Sequence, residues 1–596
     1  MTALLSFENF SFAYGKKVVF DSLNLKVDSF NKIISLIGPD GSGKSTLLKI
    51  ICGLVHGRGS FSLMEQNVTR CKGSFGLSIG YMSQSLNLYG ELSVLENLKL
   101  FGRLKDAKGD CCDDFYDGIL KKVGLYEFKD YAAASLSGGM RQKLSLICTM
   151  AGDPKILVLD EPTVGVDPYS RAQLWELIFS YIKEKDAICI FSSLYLEEAE
   201  HSDTTLLINE GQIIASGNAK KLSSMADGRC FSIQTHNTEY LKLSRFLSLG
   251  VHTGDIEFLD DALPRLGRID IIVKAGEDES TLEKKLCTIC SEHGFSTDIK
   301  IGRRKAVLED AYILLTKSAD AAADGTLFLK AFRSDKSKDG SSIGADSNTH
   351  SEHIVEVNNI VKRFGAFVAV KSSDFYVKKG EIFGLLGPNG AGKTTTFRMI
   401  CALLNPSSGS ILIDKVNLLT AKTKVRSRIG YVAQKFSLYT NLSTLDNLIY
   451  FGKSYGLYGS LLESRVDLLS SVFNLKPFFK TRTGELPFGV QRQLSMCCAL
   501  LHSPAILFLD EATSGADPKA RRSFFAVINA LCSMGTSVIV TTHFMEEAEY
   551  CDRFLIQDKG SILLLGAPSE ICTDAKGQRI SVEQTFLDVV RKNREG

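Results

Sequence analysis

Four short motifs occur twice in this chain, and the two occurrences are always 349 or 350 residues apart. A nearly constant offset over four separated blocks indicates a duplicated domain. The repeated pairs are GPDGSGKS at 38–45 and GPNGAGKT at 387–394, YMSQ at 81–84 and YVAQ at 431–434, LVLDE at 157–161 and LFLDE at 507–511, and LEEAE at 196–200 and MEEAE at 545–549. The chain is therefore expected to contain two domains of one fold.

The sequence between and after the copies has a different character. Residues 229–317 alternate between strand-like and helix-like patterns, with a strand predicted at 268–274 and a helix at 281–293. Residues 318–352 are rich in Ser, Asp, Gly and Lys, which is typical of a flexible linker. The predicted organisation is a first copy at 1–228, a small α/β accessory subdomain at 229–317, a flexible linker at 318–352, a second copy at 353–571 and a C-terminal helical tail at 572–596.

Composition excludes several classes of protein. With 44% hydrophobic and 23% charged residues, the chain resembles an ordinary globular protein and not a disordered one. A net charge of +2 gives no sign of a nucleic-acid partner. The longest apolar run, at 494–509, is shorter than the ~20 residues that span a bilayer, so we expect no membrane crossing. Fifteen cysteines are too sparse for a disulfide framework and fit a reducing cytoplasm.

Each copy carries a glycine-rich loop of the form GxxxxGK[ST] between a strand-like run and an apolar helical run. In that context the loop binds nucleotide phosphates: the glycines let backbone N–H groups wrap them, the lysine reaches the β- and γ-phosphates, and the hydroxyl ligates Mg²⁺. The predicted ATP-binding residues are Gly38, Gly41, Gly43, Lys44, Ser45 and Thr46 in the first copy, and Gly387, Gly390, Gly392, Lys393, Thr394 and Thr395 in the second.

Each copy also has a buried strand that ends in two acids, Asp160-Glu161 and Asp510-Glu511. The first acid of each pair is expected to hold Mg²⁺ through water. The second is expected to orient or deprotonate the attacking water, as phosphoryl transfer requires. The alternative, two solvated acids at a strand end, is disfavoured by their fixed spacing to the phosphate loop.

Together these motifs resemble the ABC ATPase family. The sequence LSGGM at 136–140 matches the family's signature, which places Ser137, Gly138 and Gly139 against the γ-phosphate bound by a partner domain. The resemblance further implies that Gln84 and Gln434 contact Mg²⁺, that Gln434 and His543 join Glu511 in catalysis with Glu161 as the first copy's acid, and that Tyr14 and Phe364 stack on adenine, although either aromatic could be core. It implies an α/β fold of tandem P-loop NTPase domains, each with a helical subdomain.

The chain is more specifically similar to the fused, two-domain ATP-binding subunits of ABC-2-type drug exporters. This similarity rests on the regions that follow the motifs at 81–84 and 431–434, on LEDAY at 308–312, and on the second signature, LPFG at 486–489. It implies that ATP and Mg²⁺ are the cofactors and that the permease is an integral membrane protein on separate chains. The chain would then lie in the cytoplasm, on the inner face of the membrane.

Both copies depart from the family pattern at positions that bear on the chemistry of the sites. Leu194 stands where the second copy has His543, and an isobutyl group cannot hydrogen-bond a phosphate or water. Pro487 and Phe488 replace the Ser and Gly of the signature, and proline lacks both an N–H and a hydroxyl. The alternative explanation for Pro487 is purely structural: proline is favoured at the first position of a helix.

In a head-to-tail pair of domains, Leu194 and the altered signature fall in the same site. The other site keeps Lys393, Thr394, Gln434, Asp510, Glu511 and His543 and receives the intact Ser137-Gly138-Gly139. The sequence therefore leads to the hypothesis that the second copy's site hydrolyses ATP and that the first copy's site mainly binds it.

Two other functions stay open at this point. A soluble tandem ABC protein acting on the ribosome would carry a long, charged helical linker, whereas this spacer has a mixed α/β pattern. The ATPase of a sugar importer would usually have a damaged second phosphate loop, whereas both loops are whole here. Export through a separate permease is the preferred interpretation.

Overall fold

The computed structural model describes residues 3–28, 32–64, 66–67, 79–104, 113–235, 239–316, 353–421, 425–434, 436–573 and 578–595, so the predicted linker at 318–352 lies outside them. The described residues form two compact units. The first unit contains the first copy up to Asp227, the stretch from Ala306 and the short stretch Gly515–Lys519. The second contains Gly228–Lys305 and the rest of the second copy with the tail.

A six-stranded sheet forms the centre of the first copy, and all its strands are parallel except the edge strand Gln212–Gly217. In spatial order the strands are Gln212–Gly217, Thr204–Asn209, Ile33–Ile37, Ile188–Ser193, Ile156–Asp160 and Ile79–Met82. The sequence ILVLD at 156–160 is buried at every position, as expected when helices cover both faces of a parallel sheet. A second, antiparallel sheet contains Ala3–Tyr14, Lys17–Asp28, Arg58–Leu63 and Gln66–Asn67.

Helices flank the central sheet. Three of them, Val94–Leu104, Asp113–Lys122 and Gly138–Met150, pack together and form a separate helical layer. The first unit's helices are Lys44–Ile51, Val94–Leu104, Asp113–Lys122, Gly138–Met150, Pro168–Lys185, Leu196–Ala199, Ala219–Ser223 and Leu308–Leu315. Helix Pro168–Lys185 has a favourable start, because Pro168 occupies the first turn and the Asp167 carboxylate accepts from the Ser170 N–H at 3.1 Å. The last helix packs on Ala219–Ser223.

The second copy repeats this architecture, with its strands joined into one ten-stranded sheet. The strands are His353–Phe364, Phe367–Lys378, Ile382–Leu386, Ser408–Ile413, Val416–Asn417, Ile429–Val432, Ile506–Asp510, Ser537–Thr541, Arg553–Asp558 and Ser561–Gly566. The helices are Lys393–Ile400, Thr444–Ser454, Gly459–Val472, Phe488–Leu500, Pro518–Ser533, Met545–Ala548, Pro568–Ile571 and Val582–Glu595. The final helix packs through Val582, Phe586 and Val590 against Met545 and Ile556.

The accessory subdomain, described here as residues 230–303, is a four-stranded antiparallel sheet covered by two helices. The strands run in the order Leu259–Arg265, Arg268–Val273, Cys230–Gln234 and Lys300–Arg303, and the helices are Tyr240–Thr253 and Glu279–Glu292. Its core is separate and apolar, with Phe231, Leu247, Ile271 and Leu286 almost fully buried. Among the described helices of the whole chain, none is long and apolar enough to cross a membrane.

Candidate functional site

The phosphate loop of each copy joins a central parallel strand to the N-terminus of a helix. The loop at 38–43 connects Ile33–Ile37 to Lys44–Ile51, and the loop at 387–392 connects Ile382–Leu386 to Lys393–Ile400. Gly43 and Gly392 immediately precede the helices with φ values of 109° and 99°. Other residues rarely adopt this backbone conformation, so glycine is required there. The first-turn N–H groups of both helices are thereby directed toward the loop, as a phosphate requires.

The loop lysines are buried and bind carbonyl groups of their own loops. Lys44 Nζ donates to the carbonyl oxygens of Gly38 and Pro39 at 2.8 and 2.9 Å. Lys393 Nζ contacts Gly387 O and Pro388 O in the same way. Burial lowers the pKa of Lys44, and nearby carboxylates, Glu161 first among them, only partly offset it. A phosphate group would replace neutral carbonyl partners with a charged one, so the geometry fits ATP.

Oxygen atoms suited to Mg²⁺ lie beside the first phosphate loop. Ser45 Oγ donates to Asp160 Oδ1 at 3.0 Å, which places a hydroxyl and a carboxylate together at the start of the helix. Mg²⁺ prefers such hard oxygen ligands and keeps several waters. In the second copy Thr394 is exposed in the first helical turn, and Asp510 lies at the end of its buried strand. The residues present therefore fit the predicted metal.

A hydroxyl on the neighbouring strand, which sequence reasoning did not single out, holds the acids of each copy in place. Ser192 Oγ donates to Asp160 Oδ1 at 2.7 Å, and Thr541 Oγ1 donates to Asp510 Oδ1 at 2.7 Å. The hydroxyl oxygens of Ser192 and Thr541 also accept from the backbone N–H groups of Glu161 and Glu511, respectively. Ser192 is the penultimate residue and Thr541 the last residue of strands that run parallel to those of the acids. The sequence signal for them was the hydroxyl repeated in both copies one strand later.

The second acid and the glutamine of each copy lie within hydrogen-bond distance of each other. Gln84 Nε2 donates to Glu161 Oε2 and Gln434 Nε2 donates to Glu511 Oε2, both at 2.7 Å. Both glutamates have positive φ values, 51° and 46°. Such strain in non-glycine residues is stored mainly at functional sites.

The two copies differ in what else faces the second acid. His543 Nδ1 lies 3.2 Å from Glu511 Oε2, and the ring is 3% exposed. Its Nε2 is buried without a hydrogen-bond partner among the described residues, so it remains available to a phosphate or a water. At the matching position of the first copy, Leu194 is also buried but offers no polar atom.

The pKa values of the two glutamates move in opposite directions. Burial raises the pKa of Glu161 to about 7; Asp160 adds to the effect, and Lys44 and Gln84 only partly offset it. Burial also acts to raise the pKa of Glu511, but the hydrogen bond and charge of His543, helped by Lys393 and Gln434, outweigh it. The net pKa of Glu511 is below its ordinary value. The ionised form is therefore favoured for Glu511 at neutral pH and less favoured for Glu161.

The signatures begin two matching helices with different caps. Ser137 precedes helix Gly138–Met150, and its hydroxyl accepts from the Met140 N–H at 3.3 Å. Pro487 is the N-cap of helix Phe488–Leu500 and provides no side-chain cap. Proline thus stands one position before the first helical residue. Ser137 and Gly138 are exposed and Gly139 is buried, so the exposed edge is the part that a partner domain could approach.

Tyr14 and Phe364 lie at the tips of matching hairpins, and each is about half exposed, at 48% and 51%. Neither is a core residue, so the core alternative for these two aromatics is wrong. Their exposure leaves a ring face open to a base. Thr46 and Thr395 are half-buried in the first turn of the helices that follow the phosphate loops.

The fold and the paired phosphate loops, acids and signatures define a tandem P-loop ATPase. The sequence model of the ABC transporter family matches this chain twice, at residues 20–164 and 370–514. A relative in Escherichia coli strain K12, "Probable multidrug ABC transporter ATP-binding protein YbhF", is 37% identical over 94% of this chain and 92% of its own length. The chain belongs to the ABC transporter ATP-binding proteins and is an ATP hydrolase of that family.

Shorter relatives match a length of this chain that corresponds to one of the two copies. "Linearmycin resistance ATP-binding protein LnrL" of Bacillus subtilis strain 168 is 35% identical over 40% of this chain and 79% of its own length. "Nod factor export ATP-binding protein I" of Sinorhizobium fredii is 35% identical over 39% of this chain and 68% of its own length. The relative from Escherichia coli, in contrast, matches over nearly the full tandem chain.

Proposed function

We propose that this chain is the ATP-hydrolysing subunit of an exporter and drives a substrate through a membrane permease on separate chains. The names of its relatives refer to multidrug transport, linearmycin resistance and Nod factor export, which supports export over import or ribosome binding. The described helices include none that could form a translocation path, so the path would come from partner subunits. The chain would then lie on the inner membrane face through its contact with the permease.

The pairing of Glu511 with His543 is the observation that carries the mechanistic part of this proposal. Glu511 is ionised and held by Gln434 and His543, so it can orient or deprotonate the attacking water. Glu161 has only Gln84 and a raised pKa, and Leu194 provides no partner. We infer that the second copy's site hydrolyses ATP and that the first copy's site mainly binds it.

Mg²⁺, when bound, would neutralise charge on the β- and γ-phosphates. Ser45 and Asp160 would hold it in the first copy, together with Gln84, and Thr394, Asp510 and Gln434 in the second. Lys393 would exchange its two loop carbonyls for the β- and γ-phosphates. If the two copies close head-to-tail, the second site receives the donors of Ser137, Gly138 and Gly139, whereas the first receives the proline-capped helix.

The steady-state ATPase activity of two matched variants tests the asymmetry. We expect Glu511→Gln to lower turnover by about 100-fold or more, because removal of a general base typically costs that much, and Glu161→Gln to stay within about twofold. Binding of a fluorescent ATP analogue should survive in both variants, since neither carboxylate is expected to hold the phosphates. Equal losses of turnover in the two variants would show that the sites are equivalent.

A permease segment would dock beside Gln84 and Gln434, along the helical layer that follows them. In the second copy this layer presents exposed aromatic residues: Tyr439 and Tyr450 pack edge-to-face at 4.9 Å, and Tyr458 is 65% exposed. Exposed aromatics clustered on one surface are typical of protein interaction sites.

Affinity purification of the tagged chain from its native host, in mild detergent with ATP, tests the partner. We expect mass spectrometry to identify a polytopic membrane protein at a ratio near one-to-one or two-to-one. Replacing Tyr439 and Tyr450 with Ser should reduce its recovery, whereas a tagged chain with Tyr131→Ser, an exposed aromatic of the first copy, serves as a surface control. Recovery of ribosomal subunits without a membrane protein would move the function to translation.

A further inference from the structure

The accessory subdomain packs with the second copy, although the chain enters it directly from the first. Residues Gly228–Lys305 and most of the second copy belong to one compact unit. Leu263 of the subdomain is part of the same buried apolar cluster as Phe525 and Tyr550 of the second copy, and Leu249 packs against that cluster. Leu266 packs against the cluster of Met545 and Phe586. The contact therefore includes two clusters of apolar side chains.

Three arginine–carboxylate pairs lie in this interface. Arg245 Nη2 is 2.9 Å from Asp552 Oδ2 and donates to the Tyr550 carbonyl at 3.2 Å. Arg265 Nη1 is 3.1 Å from Glu549 Oε2. Arg522 of the second copy pairs with Asp261 of the subdomain, and both side chains are 7% exposed. The Arg522–Asp261 pair is buried and the other two are partly buried. Buried charges are costly unless they are paired, so the pairs favour one arrangement of the interface.

Two of these pairs end on the segment that follows the catalytic histidine. We call residues 543–552, from His543 through helix Met545–Ala548 to Asp552, the switch segment. Glu549 and Asp552 form its carboxyl end. Asp552 Oδ2 also accepts from the Ile382 N–H at 2.8 Å, at the start of the strand that leads into the phosphate loop.

The switch segment is held from its other side by the second copy itself. Arg521 is 2.9 Å from Glu546 and lies over the Phe544 ring at 4.0 Å, and that ring adjoins His543 at 4.5 Å. The segment is therefore fixed between Arg521 on one side and Arg245 and Arg265 on the other. His543 is the first residue of this segment.

In the first copy, the described residues include no arginine pair of this kind at the carboxyl end of the segment that corresponds to the switch segment. Glu200, which corresponds to Glu549, is exposed, whereas Glu549 is 8% exposed. Ala172 stands where the second copy has Arg522. At this position the second copy, which contains His543, therefore provides a positive charge to Asp261, and the first copy does not.

We propose that the accessory subdomain positions the switch segment of the second copy, so that Arg245 and Arg265 hold His543 in place beside Glu511. Arg245 and Arg265 are positioning residues: they contact Glu549, Tyr550 and Asp552 and act through the backbone of the segment. The proposal rests on the proposed function of the Glu511–His543 site as the hydrolytic one. It gives residues 230–303 a role in setting the rate of that site.

The test compares steady-state ATPase kinetics of the full chain with those of Arg245→Gln, Arg265→Gln and the double variant. We expect the double variant to lower kcat about tenfold and to leave KM within about twofold, because displaced catalytic groups lose rate and not substrate binding. Arg303→Ala is the matched control, since Arg303 lies in the same subdomain, is 63% exposed and is 3.9 Å from Glu279. It should behave like the wild type.

The stoichiometry of nucleotide binding separates positioning from a merely structural loss. Displacement of His543 should lower kcat and leave the number of fluorescent ATP-analogue molecules bound per chain unchanged. Loss of active protein alone would lower that number together with kcat. Arg245→Lys should recover part of the rate, because it keeps the charge.

Two results would overturn the proposal. One is a double variant with kcat within about twofold of wild type. The other is a lowered kcat with an equal loss of nucleotide-binding stoichiometry, which would mean a structural role only. If the double variant does not melt cooperatively by circular dichroism, the single variants decide by the same criteria. A His543→Ala chain is the reference: if it keeps full turnover, the proposed function fails, whereas unchanged arginine variants beside an inactive His543→Ala refute only this inference.

Discussion

The side chain at the position of His543 is the main electrostatic difference between the two candidate sites. Asp40, which also raises the pKa of Glu161 and is matched by Asn389 in the second copy, adds to it. The phosphate-loop lysine, the glutamine and the hydroxyl that supports the acids have counterparts in both copies. Where His543 contributes a hydrogen bond and charge to Glu511, Leu194 contributes neither to Glu161. Because both glutamates are buried, the missing partner decides whether the ionised form is favoured. The contrast therefore belongs mainly to the histidine position and not to the general architecture.

The opposite pKa shifts predict opposite effects of two amide substitutions on stability. Glu161 has a pKa of about 7 in the folded chain and an ordinary value of 4.5, so the folded state retains a proton that the unfolded state has lost. Stability then falls as pH rises through that window. Glu161→Gln removes this penalty and should stabilise the chain at pH 8 by on the order of 3 kcal/mol, with little effect near pH 4.

Glu511→Gln should behave in the opposite way. The pKa of Glu511 is depressed in the folded chain, so its carboxylate contributes stability above the ordinary value and loses it as pH falls. The amide should therefore destabilise the chain at pH 8 and do so less in acid. Urea denaturation of both variants without nucleotide, at pH 8 and at the lowest pH where the chain stays folded, measures the two differences. Equal signs at pH 8 would contradict the assignment.

At the scale of elements, the sequence predicts the parts whose pattern is local. The phosphate loops, the apolar strands that end in two acids, the strand at Arg268–Val273 and the helix at Glu279–Glu292 all lie where the pattern places them, within one or two residues at most ends. Each depends on glycine, on hydrophobic periodicity or on a cap, and these act over a few residues. The domain boundaries themselves stay a prediction.

Features that depend on distant residues could not be predicted in this way. The support that Ser192 and Thr541 give to the acids arises from the register of parallel strands, which a single sequence does not specify. Chain order would place the accessory subdomain against the first copy, yet Leu263 and Arg245 contact the second. Pro487 precedes its helix by one residue, whereas the sequence placed it at the first helical position. The exact start of a helix is the part of a sequence pattern that is hardest to predict.

At the scale of the whole molecule, the central question is which two domains form an ATP site. The two copies are covalently joined, and such joining gives an effective concentration on the order of mM, well above the µM concentrations of an assay. We therefore expect the two copies of one chain to pair with each other. The intact signature of the first copy would then serve the acids of the second copy in the same chain.

Mixing two inactive variants tests this pairing. Glu511→Gln removes the acid, and Gly138→Asp places a carboxylate at the exposed start of the signature helix, where an added side chain meets open space, so folding should be preserved. Each variant alone should lose most of its turnover. If pairing is intramolecular, an equimolar mixture stays inactive, because no chain contains both intact parts. If two chains pair, one contributes Glu511 and the other Gly138, and turnover recovers to a substantial fraction of the wild-type rate.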